Sequence, residues 1–246
     1  MIIDFDDFYS LDTNIKTYIL EYSQDFTSRN ETNIFDKYSL MKSFDEIIIG
    51  KHKEWFNTKL HGSKVCAGHF TKLYDLSVID SGLDALNCVD HFMRIKAILD
   101  EEHFSDSEEI YMLEEILMNL PKYLGGVREK RLSFFYPLSN TSSCVHYTEA
   151  IGGEVVKFNR NKIPKIYDLL SKLGTPVFVY ATVPFDDLTE LCKGILVDNL
   201  IRMALSNEKI WKEYLEAHCY EIQIEKHLER TNISKFFILD SDGKWI

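Results

Sequence analysis

The stretch Tyr220-Glu221-Ile222-Gln223-Ile224-Glu225 alternates polar and apolar side chains near the end of a chain of 246 residues. A period of two is typical of a β-strand, and it would place Glu221, Gln223 and Glu225 on one face. We therefore predict a strand over residues 221–228. A second strand is expected over 233–239, after a turn at residues 231–232.

Other apolar patterns predict the elements that precede this stretch. Helical spacing predicts a first helix capped at Asp12 and a second that starts near Ser43 and runs through Trp55 and Phe56. It also predicts helices over residues 73–81, most of 84–124, 163–173, 188–205 and 208–217. Short β-branched or aromatic stretches predict strands over 64–71, 132–138, 154–158 and 177–183. Helices come first and strands with interspersed helices follow. This order predicts an α+β fold with a mostly antiparallel or mixed sheet in the second half.

The same pattern suggests how the chain divides. Residues 1–60 are acidic and mostly helical, and we predict that they form an N-terminal extension. Residues 61–246 would form the main domain, with a helical insertion at about 84–124 that ends near Pro121 and the glycines at 125–126.

Composition narrows the classes of function. Hydrophobic residues make up 45% of the chain, and the net charge of −11 gives little non-specific attraction to nucleic acid. Apolar stretches are too short to span a membrane. The five cysteines contain no CxxC pair and follow no signal peptide, so we expect a reducing cytoplasm. Cys66 and His69 are too few for a zinc site, and no metal is expected.

Three segments, taken in their order along the chain, contain the candidate functional residues. The first is Gly68-His69-Phe70-Thr71, followed after a predicted helix by Gly82-Leu83. The second is Phe135-Tyr136-Pro137, with Tyr147 eleven residues after Tyr136. The third is the alternating stretch from Glu221 to Glu225. Taken singly, each is more often structural: a core histidine, core aromatic rings and a solvated strand face.

Together, the three segments resemble the ADP-ribosyltransferase superfamily, in particular its poly(ADP-ribose) polymerase-like branch and the DarT-like bacterial toxins. The resemblance covers roughly residues 60–240 and implies a split β-sheet core that binds NAD without a dinucleotide GxGxxG motif. Phe70 stands where the family usually has glycine. His61-Gly62-Ser63 matches the family motif more literally but precedes the helix by eight residues too many. The motif histidine is therefore His69, with His61 as the alternative.

The resemblance also implies roles for individual residues. His69 would bind a ribose hydroxyl of NAD, and the backbone at Phe70 and Thr71 would grip the nicotinamide amide. Tyr136 and Tyr147 would enclose the nicotinamide ring. Glu221 would stabilise positive charge on the ribose as nicotinamide leaves. Glu225 forms a Gln-x-Glu pattern with Gln223 and is the alternative catalytic glutamate.

The implied reaction is transfer of ADP-ribose from NAD, as co-substrate, to DNA, RNA or protein. A cluster of basic residues could face NAD phosphates or an acceptor strand; it comprises Lys122, Arg128, Lys130 and Arg131. The resemblance further implies an intracellular toxin of a toxin–antitoxin or phage-defence system, with an antitoxin protein as partner. Two other functions remain open. One is a non-catalytic binding protein on the same fold, which would dock partners through 84–124. The other is an NAD glycohydrolase.

Overall fold

The computed structural model has the α+β fold that the sequence predicts. It describes residues 1–26, 51–85, 87–123, 130–140, 142–239 and 245–246. The predicted helix start at Ser43 and the glycines at 125–126 lie outside these ranges. In the described part of the chain, no helix is long and apolar enough to cross a membrane.

Helices make up much of the described chain. The α-helices are α1 (Thr13–Glu21), α2 (Ser23–Phe26), α3 (Lys51–Leu60), α4 (Cys88–Glu101), α5 (Ser107–Tyr123), α6 (Gly153–Phe158), α7 (Pro164–Lys172), α8 (Glu190–Leu205) and α9 (Glu208–Ala217). Short 3-10 helices cover Phe8–Ser10, Leu76–Ser81, Leu138–Asn140, Ser142–Thr148, Phe185–Asp187 and Arg230–Asn232. The predicted cap at Asp12 is confirmed, because its carboxylate accepts hydrogen bonds from Asn14 N and Ile15 N at the start of α1.

Six strands form one hydrogen-bonded sheet. They are β1 (Ile2–Ile3), β2 (Lys64–Leu73), β3 (Leu132–Tyr136), β4 (Thr175–Pro184), β5 (Tyr220–Ile224) and β6 (Ile233–Ile238). The neighbours follow the order β5-β3-β2-β4-β6, and β1 pairs with β2. The β1–β2 pair is parallel and the β4–β6 pair is antiparallel, so the sheet is mixed. The split β-sheet core that the resemblance implies stays a prediction.

The residues group into two compact units. Unit 1 contains residues 1–67, 135–141 and 182–223, and unit 2 contains residues 68–134, 142–181 and 224–246. The predicted division after residue 60 is therefore not a boundary of these units, because the N-terminal residues cluster with two later segments. Strands β2, β3, β4 and β5 each contribute residues to both units.

Each unit has its own core. In unit 1, α8 is buried along most of its length, including Leu196 and Leu200, which agrees with its mainly apolar sequence. In unit 2, α4 and α5 pack together over one apolar cluster that also takes in α6 and α7. Its members include Phe92, Leu113 and Val156.

Residues 154–158 form helix α6, and our prediction of a strand there was wrong. The chain enters the helix through Gly152 and Gly153, whose φ angles are 90° and 54°. Val155 and Val156 are then buried in the core of unit 2. Their β-branched side chains favour a strand locally, but burial in this core outweighs the preference.

Several boundaries also differ from the predictions. β3 ends at Tyr136, because Pro137 has no N–H for the ladder. Helix α5, by contrast, continues through Pro121 and ends at Tyr123, close to the predicted end of the helical block at about 124. β2 extends to Leu73, so the predicted helix over 73–81 is the shorter 3-10 helix Leu76–Ser81. β5 ends at Ile224, and Leu228 instead forms an isolated bridge with Leu83.

Candidate functional site

Glu221 and Gln223 share one face of β5, as their spacing predicts. Gln223 Nε2 donates a hydrogen bond to Glu221 Oε1 at 2.9 Å. Glu221 is half-buried and Gln223 is buried. The backbone N–H of Gln223 donates to Cys192 Sγ, and its carbonyl accepts from Thr189 N at 3.1 Å. The start of α8 therefore holds this end of β5.

Glu225 lies just after β5, not within it, so our prediction of a strand through residue 228 was wrong here. Its side chain is 61% exposed, and Oε1 lies 3.5 Å from Nε of Arg131, a member of the predicted basic cluster. Within that cluster, Lys130 is exposed and Arg128 lies outside the described residues. Glu221 and Glu225 thus have different surroundings: Glu221 pairs with an amide on the strand, and Glu225 pairs with the half-buried Arg131.

His69 lies on β2 in unit 2 and is held in one tautomer. Its Nδ1 lies 2.8 Å from the Ser133 carbonyl oxygen. Because a carbonyl oxygen only accepts, Nδ1 carries the proton and Nε2 is left as an acceptor. Burial lowers the pKa of His69, against the opposing effect of the Ser133 bond, so the ring is neutral at pH 7.

The residues after His69 differ in exposure. Phe70 is buried, with its ring 4.7 Å from that of Phe178 and 5.9 Å from that of Trp245. Thr71 is half-buried. The alternative histidine, His61, is exposed in unit 1, where its Nδ1 lies 3.1 Å from Asp186 Oδ1. Asp186 also accepts a hydrogen bond from Gly62 N at 2.9 Å. The two contacts of Asp186 stabilise the turn before β2.

Tyr136 is fully buried in unit 1. Its ring packs against Phe5 and Tyr220, with centroids 4.8 Å and 5.5 Å away. Its hydroxyl oxygen accepts from Asn199 Nδ2 at 2.9 Å. Tyr136 packs on Tyr220, and Glu221 is the next residue of the same strand. Because neighbouring residues of a strand point to opposite faces, Tyr136 and Glu221 lie on opposite faces of the sheet. These contacts favour a supporting role for Tyr136.

Tyr147 lies in unit 2, within the 3-10 helix Ser142–Thr148, and is half-buried. Its ring centroid is 4.0 Å from that of His146. The roles that the resemblance gives to Tyr136 and Tyr147 stay predictions.

A buried network lies behind Tyr136, and no sequence motif predicted it. Tyr214 O–H donates to Asn199 Oδ1 at 3.4 Å, and the hydroxyls of Tyr214 and Tyr220 are hydrogen-bonded to each other. Because the single proton of Tyr214 goes to Asn199, Tyr220 is the donor to Tyr214. Burial raises the pKa of all three tyrosines, so each hydroxyl keeps its proton.

An ion pair lies beside this network. Arg202 Nε is 2.8 Å from Asp198 Oδ2, and the guanidinium lies 5.4 Å from the centre of the Tyr214 ring. Burial raises the pKa of Asp198, and Arg202 opposes that shift. Within the described residues, no group of three or more His, Cys, Asp or Glu side chains is arranged to hold a metal ion.

Neither protein-family models, nor curated proteins, nor solved structures gave a match to this chain. A function for this chain is therefore inferred from its own residues and from the order of its strands.

That order relates the three motif strands. Glu221 lies on β5, Tyr136 on β3 and His69 on β2, and these strands follow one another in the sheet. They are separated by long segments of sequence, so sequence alone did not place them next to one another.

Proposed function

We propose that this chain is an NAD-dependent ADP-ribosyltransferase, a glycosyltransferase in which Glu221 acts on the nicotinamide ribose. The observation that carries the proposal is the sheet order β5-β3-β2, in which the strands of Glu221, Tyr136 and His69 are consecutive. The hydrogen bond from Gln223 to the half-buried Glu221 adds to it. A carboxylate held by an amide on a strand face suits a site that stabilises positive charge.

The proposed step breaks the bond between the nicotinamide nitrogen and C1′ of the ribose. The bonding electrons leave with nicotinamide, and C1′ takes on positive charge that the Glu221 carboxylate stabilises. A nucleophilic atom of the acceptor then bonds to C1′, and Glu221 receives the proton that this atom loses. Gln223, by donating to one oxygen of Glu221, keeps the carboxylate in place.

Neutral His69 fits the role that the resemblance gives it. With its Nδ1 proton donated to Ser133, Nε2 is an acceptor for a ribose hydroxyl. Phe70 and Thr71 would contribute backbone groups beside it, and Tyr147 an aromatic face. Glu225 is less suited to the catalytic role, because its carboxylate is exposed and paired with Arg131.

The acceptor is a macromolecule: DNA, RNA or protein. The net charge of −11 favours a protein over a nucleic acid, unless basic residues such as Arg131 guide a strand. We place the activity in a cytoplasmic toxin of a toxin–antitoxin or phage-defence system. Such a toxin implies an antitoxin protein that neutralises it.

Transfer is tested by incubating the purified protein with NAD labelled in its adenylate and with cell lysate. The matched variants are Glu221→Gln and Glu229→Gln, the latter an exposed glutamate in the same region. We expect label in a macromolecule with wild type and Glu229→Gln, and almost none with Glu221→Gln. Nuclease and protease treatment of the product identify the acceptor class. An absence of label with wild type would overturn the transferase.

One observation favours a second candidate, a non-catalytic binding protein. Tyr136 is buried and points to the opposite face of β5 from Glu221, so the two do not form one cluster. Expression in cells separates the candidates, because a transferase toxin should arrest growth and Glu221→Gln should relieve the arrest. An NAD glycohydrolase would instead release free ADP-ribose and label nothing.

A further inference from the structure

A chain of hydrogen bonds crosses the core of unit 1 and ends beside Glu221. Tyr220 donates to Tyr214, Tyr214 donates to Asn199, and Asn199 donates to Tyr136. Asn199 and Tyr136 are each about 1% exposed, and Tyr214 is 7% exposed. We call Tyr136, Asn199, Tyr214 and Tyr220 the tyrosine relay.

The relay is built with defined directions. The two ends of the Asn199 amide differ, one being a donor and the other an acceptor, so each neighbouring hydroxyl has a fixed role. Aromatic packing supports the same residues: Trp211 stacks on Tyr214 at 5.4 Å, and its indole N–H donates to Phe5 O at 2.9 Å. Four polar side chains are therefore satisfied inside an apolar core.

Packing alone does not explain the hydroxyls. Phenylalanine would fill nearly the same volume, and burying a hydroxyl costs free energy unless it is hydrogen-bonded. What hydroxyls add is direction, because a hydrogen bond fails when its donor moves by an ångström or more. On a strand this has a consequence for function. A slip of one residue turns every side chain to the other face.

We propose that the tyrosine relay positions β5 in register, and thereby holds Glu221 on the face that acts on NAD. Tyr220 is bound on one face of the strand, so its neighbour Glu221 must point to the other. Tyr220, Tyr214 and Asn199 are thus positioning residues, and this inference rests on the proposed function. The far end of β5 is held by Thr189 and Cys192, through the backbone of Gln223.

The test is a kinetic cycle of four proteins: wild type, Tyr220→Phe, Glu221→Gln and the double variant. Tyr220→Phe keeps the ring and removes the hydroxyl. We expect kcat for nicotinamide release from NAD to fall about tenfold, with KM for NAD changed less than about twofold. In the Glu221→Gln background, Tyr220→Phe should have no further effect, because the residue it positions no longer carries its charge.

Tyr9→Phe is the matched control. Tyr9 lies in the same unit, is exposed, and donates to Glu208 Oε2 at 2.6 Å, so this variant removes one tyrosine hydrogen bond far from β5 in sequence. We expect wild-type kcat. If Tyr220→Phe does not fold, Tyr214→Phe interrupts the relay one residue further from Glu221 and should give the same kinetic pattern.

The outcomes separate the two proposals. An active wild type with an unchanged kcat in Tyr220→Phe, or with losses that multiply in the double variant, overturns the relay and leaves the transferase standing. A rise in KM for NAD with an unchanged kcat also overturns the relay. A wild type that never releases nicotinamide overturns the proposed function, and the positioning role falls with it.

Discussion

Burial decides the charge of two histidines in unit 2. His69 donates through Nδ1 to Ser133, while His91 Nε2 has no hydrogen-bond partner among the described residues. Both residues are half-buried, and burial lowers the pKa of both because it removes water from around the charged form of the ring. Both rings are therefore neutral at pH 7, and their protonation is linked to unfolding.

We predict that His69 contributes to acid sensitivity. Its pKa is lower in the folded protein than the ordinary value of 6.5, so the unfolded chain takes up the proton first as the pH falls. The free energy of unfolding should decrease from about pH 6.5 downward, until the folded-state pKa is passed. His69→Gln can still donate to Ser133 but does not titrate, so its unfolding free energy should depend less on pH.

Urea unfolding at a series of pH values between 7 and 5 measures this effect. His103→Gln, at an exposed histidine of the same unit, is the control and should keep the wild-type slope. Identical slopes for wild type and His69→Gln would contradict the prediction.

At the scale of elements, Gly82 follows the 3-10 helix Leu76–Ser81 and lies against the segment after β5. Its φ of 99° is one that other residues rarely adopt. A Cβ there would meet the carbonyl oxygen of Leu228, and would lie 2.6 Å from His227 Nε2. His227 has little freedom to withdraw, because its Nδ1 lies 2.8 Å from Asp84 Oδ1.

Gly82→Ala should therefore lower the free energy of unfolding by about 3 kcal/mol or more. Gly62→Ala is a matched control, since Gly62 also has a positive φ, 69°, but a Cβ there has no atom within 4 Å. We expect it to cost about 1 kcal/mol. Equal losses in chemical unfolding would show that backbone conformation alone accounts for Gly82.

Glu109 connects two helices of unit 2. It lies in the first turn of α5, is 8% exposed, and accepts from Lys165 N at 3.2 Å and from Ile166 N at 2.9 Å. These N–H groups belong to the first turn of α7 and have no partners within that helix. A carboxylate at a helix N-terminus is also stabilised by the helix dipole.

We predict that Glu109→Ala lowers the free energy of unfolding by about 2 kcal/mol, because it leaves two N–H groups at the start of α7, that of Ile166 buried, without their acceptor. Glu108→Ala removes the exposed neighbour from the same turn of α5 and should cost less than about 0.5 kcal/mol. Thermal unfolding measures both. A similar loss for the two variants would contradict the capping role.

Local signals predicted most elements, because their causes lie close in sequence. Asp12 marks the start of α1, Pro164 begins α7, and the β-branched stretch at 177–183 lies within β4. Helix α6 escaped prediction because its strand-like valines are buried in a core cluster that includes residues of α4, some 60 residues earlier. Where the cause of a local structure was distant, the local pattern misled.

The same limit applies to the candidate site. The shared face of Glu221 and Gln223 follows from their spacing, and the structure confirms it. Sequence could not reveal that Tyr136 is bound by Asn199, which lies 63 positions away. Nor could it show that Tyr136 packs on Tyr220 and so points away from Glu221. The role of Tyr136 in binding NAD therefore stays a prediction.

At the scale of the whole molecule, the sheet joins segments that the chain separates. Strands β5, β3 and β2 are neighbours, although about 60 to 80 residues separate each from the next along the chain. Closing such long connections costs entropy, which the burial of apolar residues in the two cores offsets. The sheet order brings the three motif strands side by side, and the proposed transferase depends on it.

The most direct measurement of that function is the rate of nicotinamide release from NAD, with lysate present, for wild type, Glu221→Gln and Glu225→Gln. We expect Glu221→Gln to lower the rate by about 10²–10³-fold, since it removes the charge that stabilises the ribose cation. Glu225→Gln, which breaks only a surface ion pair, should stay within about twofold. No release by wild type, or equal release by wild type and Glu221→Gln, would contradict the proposed mechanism.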